Sequence, residues 1–164
     1  MREIFNINGK KVELALEGDF TLLQALRENG YTEVKNGCEE GQCGACLVLV
    51  DEKPANSCQI LAMSVKNREI KTVKGIGTIH SPNVIQESMV EAGAVQCGFC
   101  TPGFVIAIYA LLKKHPQPTD EQIKSYLDGN LCRCTGYTKI ADAVHLTVKK
   151  IISGEASLWK NLTK

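Results

Sequence analysis

Eight cysteines fall into two sets of four, and this distribution constrains the chain more than any other feature. Cys38, Cys43, Cys46 and Cys58 follow the pattern C-x4-C-x2-C-x11-C, whereas Cys97-Gly98-Phe99-Cys100 and Cys132-Arg133-Cys134 make a C-x2-C and a C-x-C. Eight in 164 residues is about 5%, below the roughly 8–10% of a disulfide scaffold but too many for incidental core residues. The N-terminus, Met1-Arg2-Glu3-Ile4, lacks the apolar stretch and small-residue cleavage site of a secretory signal, and no twin-arginine pair precedes a hydrophobic segment. The expectation is a cytoplasmic protein, where thiols serve as metal ligands or redox groups rather than as disulfides. Asn161-Leu162-Thr163 matches a glycosylation acceptor, which has no meaning without secretion.

The first set matches the plant-type [2Fe-2S] loop in its first three spacings. A short loop must wrap such a cluster closely, and Gly37, Gly41 and Gly44 allow approaches that a Cβ would obstruct. The competing reading is a four-cysteine zinc site, although three cysteines on one loop make poor zinc-ribbon geometry. The second set is less decisive. By spacing alone Cys97, Cys100, Cys132 and Cys134 fit zinc as well as iron, and Cys97-x-x-Cys100 at a helix start also fits a thiol-redox pair.

The rest of the chain organises around these sets. Ile4 to Ile7 and Val12, Leu14 and Leu16 flank Asn8-Gly9, predicting a β-hairpin. Thr21 caps a short helix carrying Leu22, Leu23, Ala25 and Leu26, which Asn29-Gly30 closes. Leu47 to Val50 read as a strand, and Ile70, Thr72 and Val73 as a weaker one. Near residues 75 to 82 the pattern turns helical. Ser81-Pro82 precedes a first helix with Val84, Ile85 and Met89, and Thr101-Pro102 opens a second through Leu112 that is apolar nearly all round, hence central. A third helix starts at Thr119 and ends at Gly129-Asn130, and a fourth spans about 138 to 152 with Ile140, Ala143, Val144, Val148 and Ile151 at helical spacing. The predicted fold class is α+β, with a small α+β unit over 1–77 followed by a four-helix bundle over 78–164.

Composition narrows the function classes. With 19 Lys+Arg against 18 Asp+Glu the net charge is +1, too little to predict the basic face of a nucleic-acid binder. The longest apolar run, Phe104 to Leu112, is far short of the roughly 20 residues that span a bilayer. Gly75-x-Gly77 is too short for a dinucleotide fingerprint and reads as a linker turn. His80, His115 and His145 lack metal-ligand spacing, and Glu39-Glu40 read as a solvated loop face.

Three stretches together are recognisable: Gly37-Cys38-x4-Cys43-Gly44-Ala45-Cys46, then Gln96-Cys97-Gly98-Phe99-Cys100-Thr101-Pro102-Gly103, then Gly129-Asn130-Leu131-Cys132-Arg133-Cys134-Thr135-Gly136-Tyr137. With both sets in order over residues 1 to about 155, the chain resembles the small iron–sulfur subunit of the molybdenum hydroxylases, the xanthine dehydrogenase and aldehyde oxidase family. Two departures are Leu47, where the family commonly has Thr, and Asp51-Glu52-Lys53-Pro54, where it often has Asp-Gly. The resemblance implies an N-terminal ferredoxin-like β-grasp domain and a C-terminal four-helix bundle, each holding one [2Fe-2S] cluster on the four cysteines of its set. It implies a large partner subunit with molybdopterin, in a dinucleotide form, where substrate is hydroxylated, and a medium partner subunit with FAD. The assembly implied is a heterotrimer or a dimer of heterotrimers. Carried over by position, the bundle cluster lies nearest the pterin, with Gln96 and Cys134 contacting it, and the other cluster lies toward the flavin. This chain then holds no catalytic residue of its own and conducts electrons, for a substrate expected to be a purine such as xanthine. Relatives also oxidise aldehydes, N-heterocycles, aromatic acyl thioesters and carbon monoxide. Arg133, between two ligands, fits either a charge offsetting the thiolates or a partner-facing side chain. Outside the family, the rival readings are a free-standing two-cluster ferredoxin and a double zinc module.

Overall fold

The computed structural model describes residues 1–158; Asn161-Leu162-Thr163 and the end of the 78–164 unit lie outside the described residues. Strands β1 (Arg2–Ile7) and β2 (Lys10–Ala15) form the expected hairpin, with Asn8 and Gly9 at φ 53° and 73°. These are the positive dihedrals that a two-residue turn of this twist requires. Helix α1 (Leu22–Glu28) starts at a reciprocal cap: the Thr21 side chain accepts from the Gln24 N–H, and the Gln24 side chain accepts from the Thr21 N–H. Strands β3 (Leu47–Val50), β4 (Lys53–Asn56) and β5 (Glu69–Lys71) complete a sheet in the order β2-β1-β5-β3-β4. β5 runs parallel to β1 and antiparallel to β3. β4 sits at the edge, which is why the sheet tolerates Pro54.

Two expectations needed adjustment. Thr72 and Val73 leave the sheet. The chain turns after Lys71 into a one-turn helix, α2 (Val73–Ile76), because Asn8 Oδ1 accepts the Thr72 N–H at 2.8 Å and ends the ladder there. Helix α3 (Val84–Glu91) is capped by Asn83 rather than by Ser81-Pro82: Asn83 Oδ1 accepts the Ile85 N–H, and the Gln86 side chain accepts the Asn83 N–H. Helices α4 (Thr101–Lys114), α5 (Asp120–Leu127) and α6 (Thr138–Ile152) follow as their spacing predicted. Among the described residues no helix is long and apolar enough to cross a membrane.

Two hydrophobic cores result. One lies between α1 and the sheet, built on Phe5, Ile7, Leu14, Leu22, Leu26 and Ile70. The other surrounds α4, whose residues from Gly103 through Leu112 are all buried and packed among α3, α5 and α6. Each large aliphatic side chain so buried is worth about 1.5–3 kcal/mol, so α4 is the main stabilising element of its half. β3 joins the cores. Val48 and Val50 enter the first, while Leu47 and Leu49 pack against the second, following the two-residue alternation of a strand.

The turn Asp51-Glu52, read in the sequence as unusual, holds both residues at positive φ, 48° and 65°. Without glycine this conformation costs roughly 1–3 kcal/mol per residue, and side-chain bonds offset it. Asp51 Oδ1 accepts the Glu69 N–H at 3.0 Å, and the Glu52 carboxylate pairs with Lys71 and, at 2.6 Å, with Lys113 of α4.

Candidate metal centres

The segment from Lys35 to Cys46 has no regular structure and bends through Glu39, Gly41 and Gly44 at φ 57°, 77° and 67°. This curl sets Cys38 beside Cys43 and leads on to Cys46, which Cys58 meets from the turn after β4. Ser57 ties that turn to the loop, donating from its buried hydroxyl to the Cys46 carbonyl at 2.7 Å. The Cys38 sulfur accepts the backbone N–H groups of Glu40 and Cys43, each at 3.4 Å, and these bonds pull its thiol down to about 7. Burial pushes the Cys46 thiol up to about 11, beside the thiol of Cys58. The four sulfurs form two pairs, Cys38 with Cys43 and Cys46 with Cys58.

The second set is assembled from separate elements. Cys97 and Cys100 lie in the approach to α4, with Cys100 its cap residue, and Cys132 and Cys134 lie in the link from α5 to α6. Here too the sulfurs pair: Cys97 with Cys134 at 3.6 Å, and Cys100 with Cys132. Burial, with Cys132 alongside, raises the Cys100 thiol to about 12. Burial also opposes ionisation of Cys132, but hydrogen bonds from Thr135 and neighbouring amides outweigh it and lower the thiol. Cys97 and Cys134 are exposed, while Cys132 is buried. Gln96, just before Cys97, is also exposed.

A dinuclear iron–sulfur group takes two thiolates on each iron, and both sites present thiols two by two. Among the described residues no three His, Cys, Asp or Glu side chains converge on a point for a single ion. The first loop draws its backbone in close to a thiol, as wrapping a small group requires: a Cβ on Gly37 would stand 2.7 Å from the Cys43 sulfur, so only glycine fits there. The residues present therefore fit a [2Fe-2S] group at each site. Glu40 enters the first site through its backbone N–H alone, the Glu39 side chain accepts from Asn36 Nδ2 instead, and His145 Nε2 lies 3.0 Å from Asp120 Oδ1, on the bundle surface.

The two sites abut. The Cys43 carbonyl accepts the Leu131 N–H at 2.9 Å, and the Gly44 carbonyl accepts from Asn130 Nδ2 at 3.2 Å. Asn130 is only 3% exposed, so this amide is part of a buried joint. The backbones approach so closely that a Cβ on Gly44 would lie 2.4 Å from the Gly129 oxygen, and one on Gly103 would lie 2.3 Å from the Gly44 oxygen. Asn130, Thr135 and Gln59, each in contact with a candidate site, escaped the sequence reading as functional groups. Asn130 and Thr135 stand in the third recognisable stretch without a role of their own, and Gln59 had no signal beyond following Cys58.

Comparison with known proteins places the chain in a family. Residues 5–69 match the family described as 2Fe-2S iron-sulfur cluster binding domain, and residues 72–145 match the [2Fe-2S] binding domain family. The nicotinate dehydrogenase small FeS subunit of Eubacterium barkeri is 46% identical over 146 residues, covering 88% of this chain and 93% of that subunit. The chain belongs to the iron–sulfur subunits of the molybdenum hydroxylases. The xanthine dehydrogenase of Emericella nidulans is 40% identical over 163 residues, and there the match spans 93% of this chain but only 12% of the longer protein. Among solved structures, the quinoline 2-oxidoreductase of Pseudomonas putida 86 superposes with a TM-score of 0.87 at 38% identity, covering 95% of this chain and 98% of the matched chain. As a molybdenum hydroxylase iron–sulfur subunit, the chain carries two [2Fe-2S] clusters and transfers electrons, and the zinc readings fall away.

Proposed function

We propose that Cys38, Cys43, Cys46 and Cys58 hold one cluster and Cys97, Cys100, Cys132 and Cys134 the other, within lobes divided at residues 77 and 78. When bound, the clusters supply one-electron oxidation and reduction, in a path from a molybdopterin centre in a large partner subunit toward FAD in a medium one. The observation that carries this reading is the 2.9 Å bond from the Leu131 N–H to the Cys43 carbonyl. It couples the backbone of one proposed ligand to the residue before another. The exposed edge at Gln96, Cys97 and Cys134 supports contact with the pterin on the bundle side. Apolar side chains flank that edge, with Phe99 48% and Leu131 55% exposed, which favours a covering partner over a free-standing ferredoxin.

The chain's own residues do no bond-making in this role. They orient thiolates, exclude water from Cys46, Cys58 and Cys132, and supply hydrogen bonds to sulfur. The substrate class we infer is an aromatic nitrogen heterocycle. A purine such as xanthine is the first candidate, and the nicotinate dehydrogenase relative, nearly all of whose length the chain matches, favours nicotinate as the second.

Purifying the chain with its partners from the native host tests the reading. About four irons per molybdenum, together with two larger chains and bound flavin, are expected, because two [2Fe-2S] clusters then serve one molybdenum centre. Iron without molybdenum or partners would leave a free two-cluster ferredoxin. Bleaching of the purified complex by xanthine but not nicotinate, or the reverse, decides between the substrates.

A further inference from the structure

Thr135 follows Cys134 in the link from α5 to α6, and its hydroxyl donates to the Cys132 sulfur at 3.1 Å. That hydroxyl is not a free rotor. Its oxygen accepts the Tyr137 backbone N–H at 3.3 Å, which leaves the proton for the sulfur. Tyr137 in turn is fixed in place. Gly136 and Tyr137 adopt φ of 63° and 68°, and the phenol oxygen accepts the Cys132 N–H at 3.0 Å. The Tyr137 ring stands edge-on to buried Phe104, with centroids 6.4 Å apart. Sulfur, hydroxyl, amide and phenol thus form a closed circuit in which the donor is oriented in advance.

The first site uses its side-chain donor differently. Gln59 Nε2 lies 3.4 Å from the Cys58 sulfur but also reaches the Glu39 carbonyl at 2.9 Å and the Cys58 carbonyl at 3.4 Å. Its hydrogen-bonding capacity is divided, whereas the single proton of Thr135 goes to sulfur.

We propose that Thr135 is a positioning residue that sets the reduction potential of the cluster on Cys97, Cys100, Cys132 and Cys134. A hydrogen bond to a ligating sulfur draws charge from it and lowers the cost of the added electron, so the potential rises. The redox event is a one-electron reduction in which no bond forms or breaks, and the electron comes from substrate oxidation in the partner subunit. This inference rests on the ligand assignment proposed above.

The test uses the purified complex with T135V, T135A and T135S, reading each cluster's spectroscopic signal at a series of poised potentials. T135V and T135A remove the donor with different changes in shape, so a shift common to both cannot come from packing alone. Both are expected to lower the reduced-to-oxidised ratio of the bundle cluster about tenfold at fixed poise, which is about 59 mV for one electron. T135S keeps the wild-type value, and the other cluster does not move in any variant. An unchanged potential in T135A, or an equal shift in T135S, overturns the proposal while both wild-type signals leave the ligand assignment standing. A wild-type complex without two distinct cluster signals overturns the assignment itself, and the proposal with it.

Discussion

The two cysteine sites reach the same pairing of thiols by opposite means. At the first, three cysteines share one segment whose backbone is contorted by positive φ at Glu39, Gly41 and Gly44. At the second, the approaches to α4 and α6 also turn through positive φ, at Gly98, Gly136 and Tyr137, but the cysteines come from two separate segments and meet only when the bundle closes. A site written into one loop is specified locally and readable from its spacing. A site written into two helix approaches is specified by packing, so its thiols become neighbours only because Phe104, Leu111, Ile140 and Val144 are buried together. Solvent access differs in the same sense. Cys46 and Cys58 are sealed in the first site, whereas the second leaves Cys97 and Cys134 at the surface.

Cysteine replacement gives the largest effect and can break this comparison. Cys134→Ser is expected to remove the bundle cluster and about half of the iron while sparing the loop cluster. Cys43→Ser is expected to do the reverse and to block reduction of the flavin while substrate oxidation persists for one turnover. Metal analysis and low-temperature spectroscopy of the two complexes check this. Loss of both signals from a folded Cys134→Ser protein would show that the sites do not assemble separately.

A smaller effect is expected where the sites touch. Gly44→Ala meets a left-handed backbone and a carbonyl oxygen 2.4 Å away, and should destabilise the protein by about 2–4 kcal/mol. Gly18→Ala, also left-handed at φ 55° but in open space, should cost only about 1 kcal/mol. Thermal unfolding compares them; equal losses would mean that the close approach contributes nothing.

The smallest effect concerns Glu52, which links the lobes through Lys71 and Lys113. Partial burial works against its charge, but hydrogen bonds from Lys113 and Lys71 outweigh this and hold the carboxyl below its ordinary range. A carboxyl depressed by folding stabilises above its unfolded pKa, about 4.3, and loses that contribution as pH falls through the folded value. Glu52→Gln should therefore lower the unfolding midpoint at neutral pH, and the gap to wild type should narrow on acidification below about pH 4.3. A gap independent of pH would mean that the ion pairs are not what Glu52 contributes.

The sequence disclosed elements whose cause is local. Asn8-Gly9, the Thr21 and Thr119 caps and the apolar surround of α4 each carry their structural reason within a few residues. What lay beyond it depends on distant partners. Val73 leaves the sheet because Asn8, far back in the chain, takes the Thr72 amide. Asn130 looks like a helix terminator until Gly44 comes within reach. At the first site the spacing pointed to iron, whereas at the second only the resemblance did so, because C-x2-C and C-x-C say nothing about which thiols face each other.

The placement of Leu47 and Leu49 in one core and Val48 and Val50 in the other removes a safeguard that most strands possess. Where one face is wet, sliding a strand by one position exposes its apolar residues and is strongly resisted. Here sliding exchanges leucine for valine on both sides, an error of volume rather than polarity. Alignment of β3 therefore falls to its two ends: Cys46, one residue before the strand, and the bonded Asp51-Glu52 turn after it. On the proposed ligand assignment, iron at Cys46 does more than carry charge, because it fixes the offset at which the strand shared by both lobes is read.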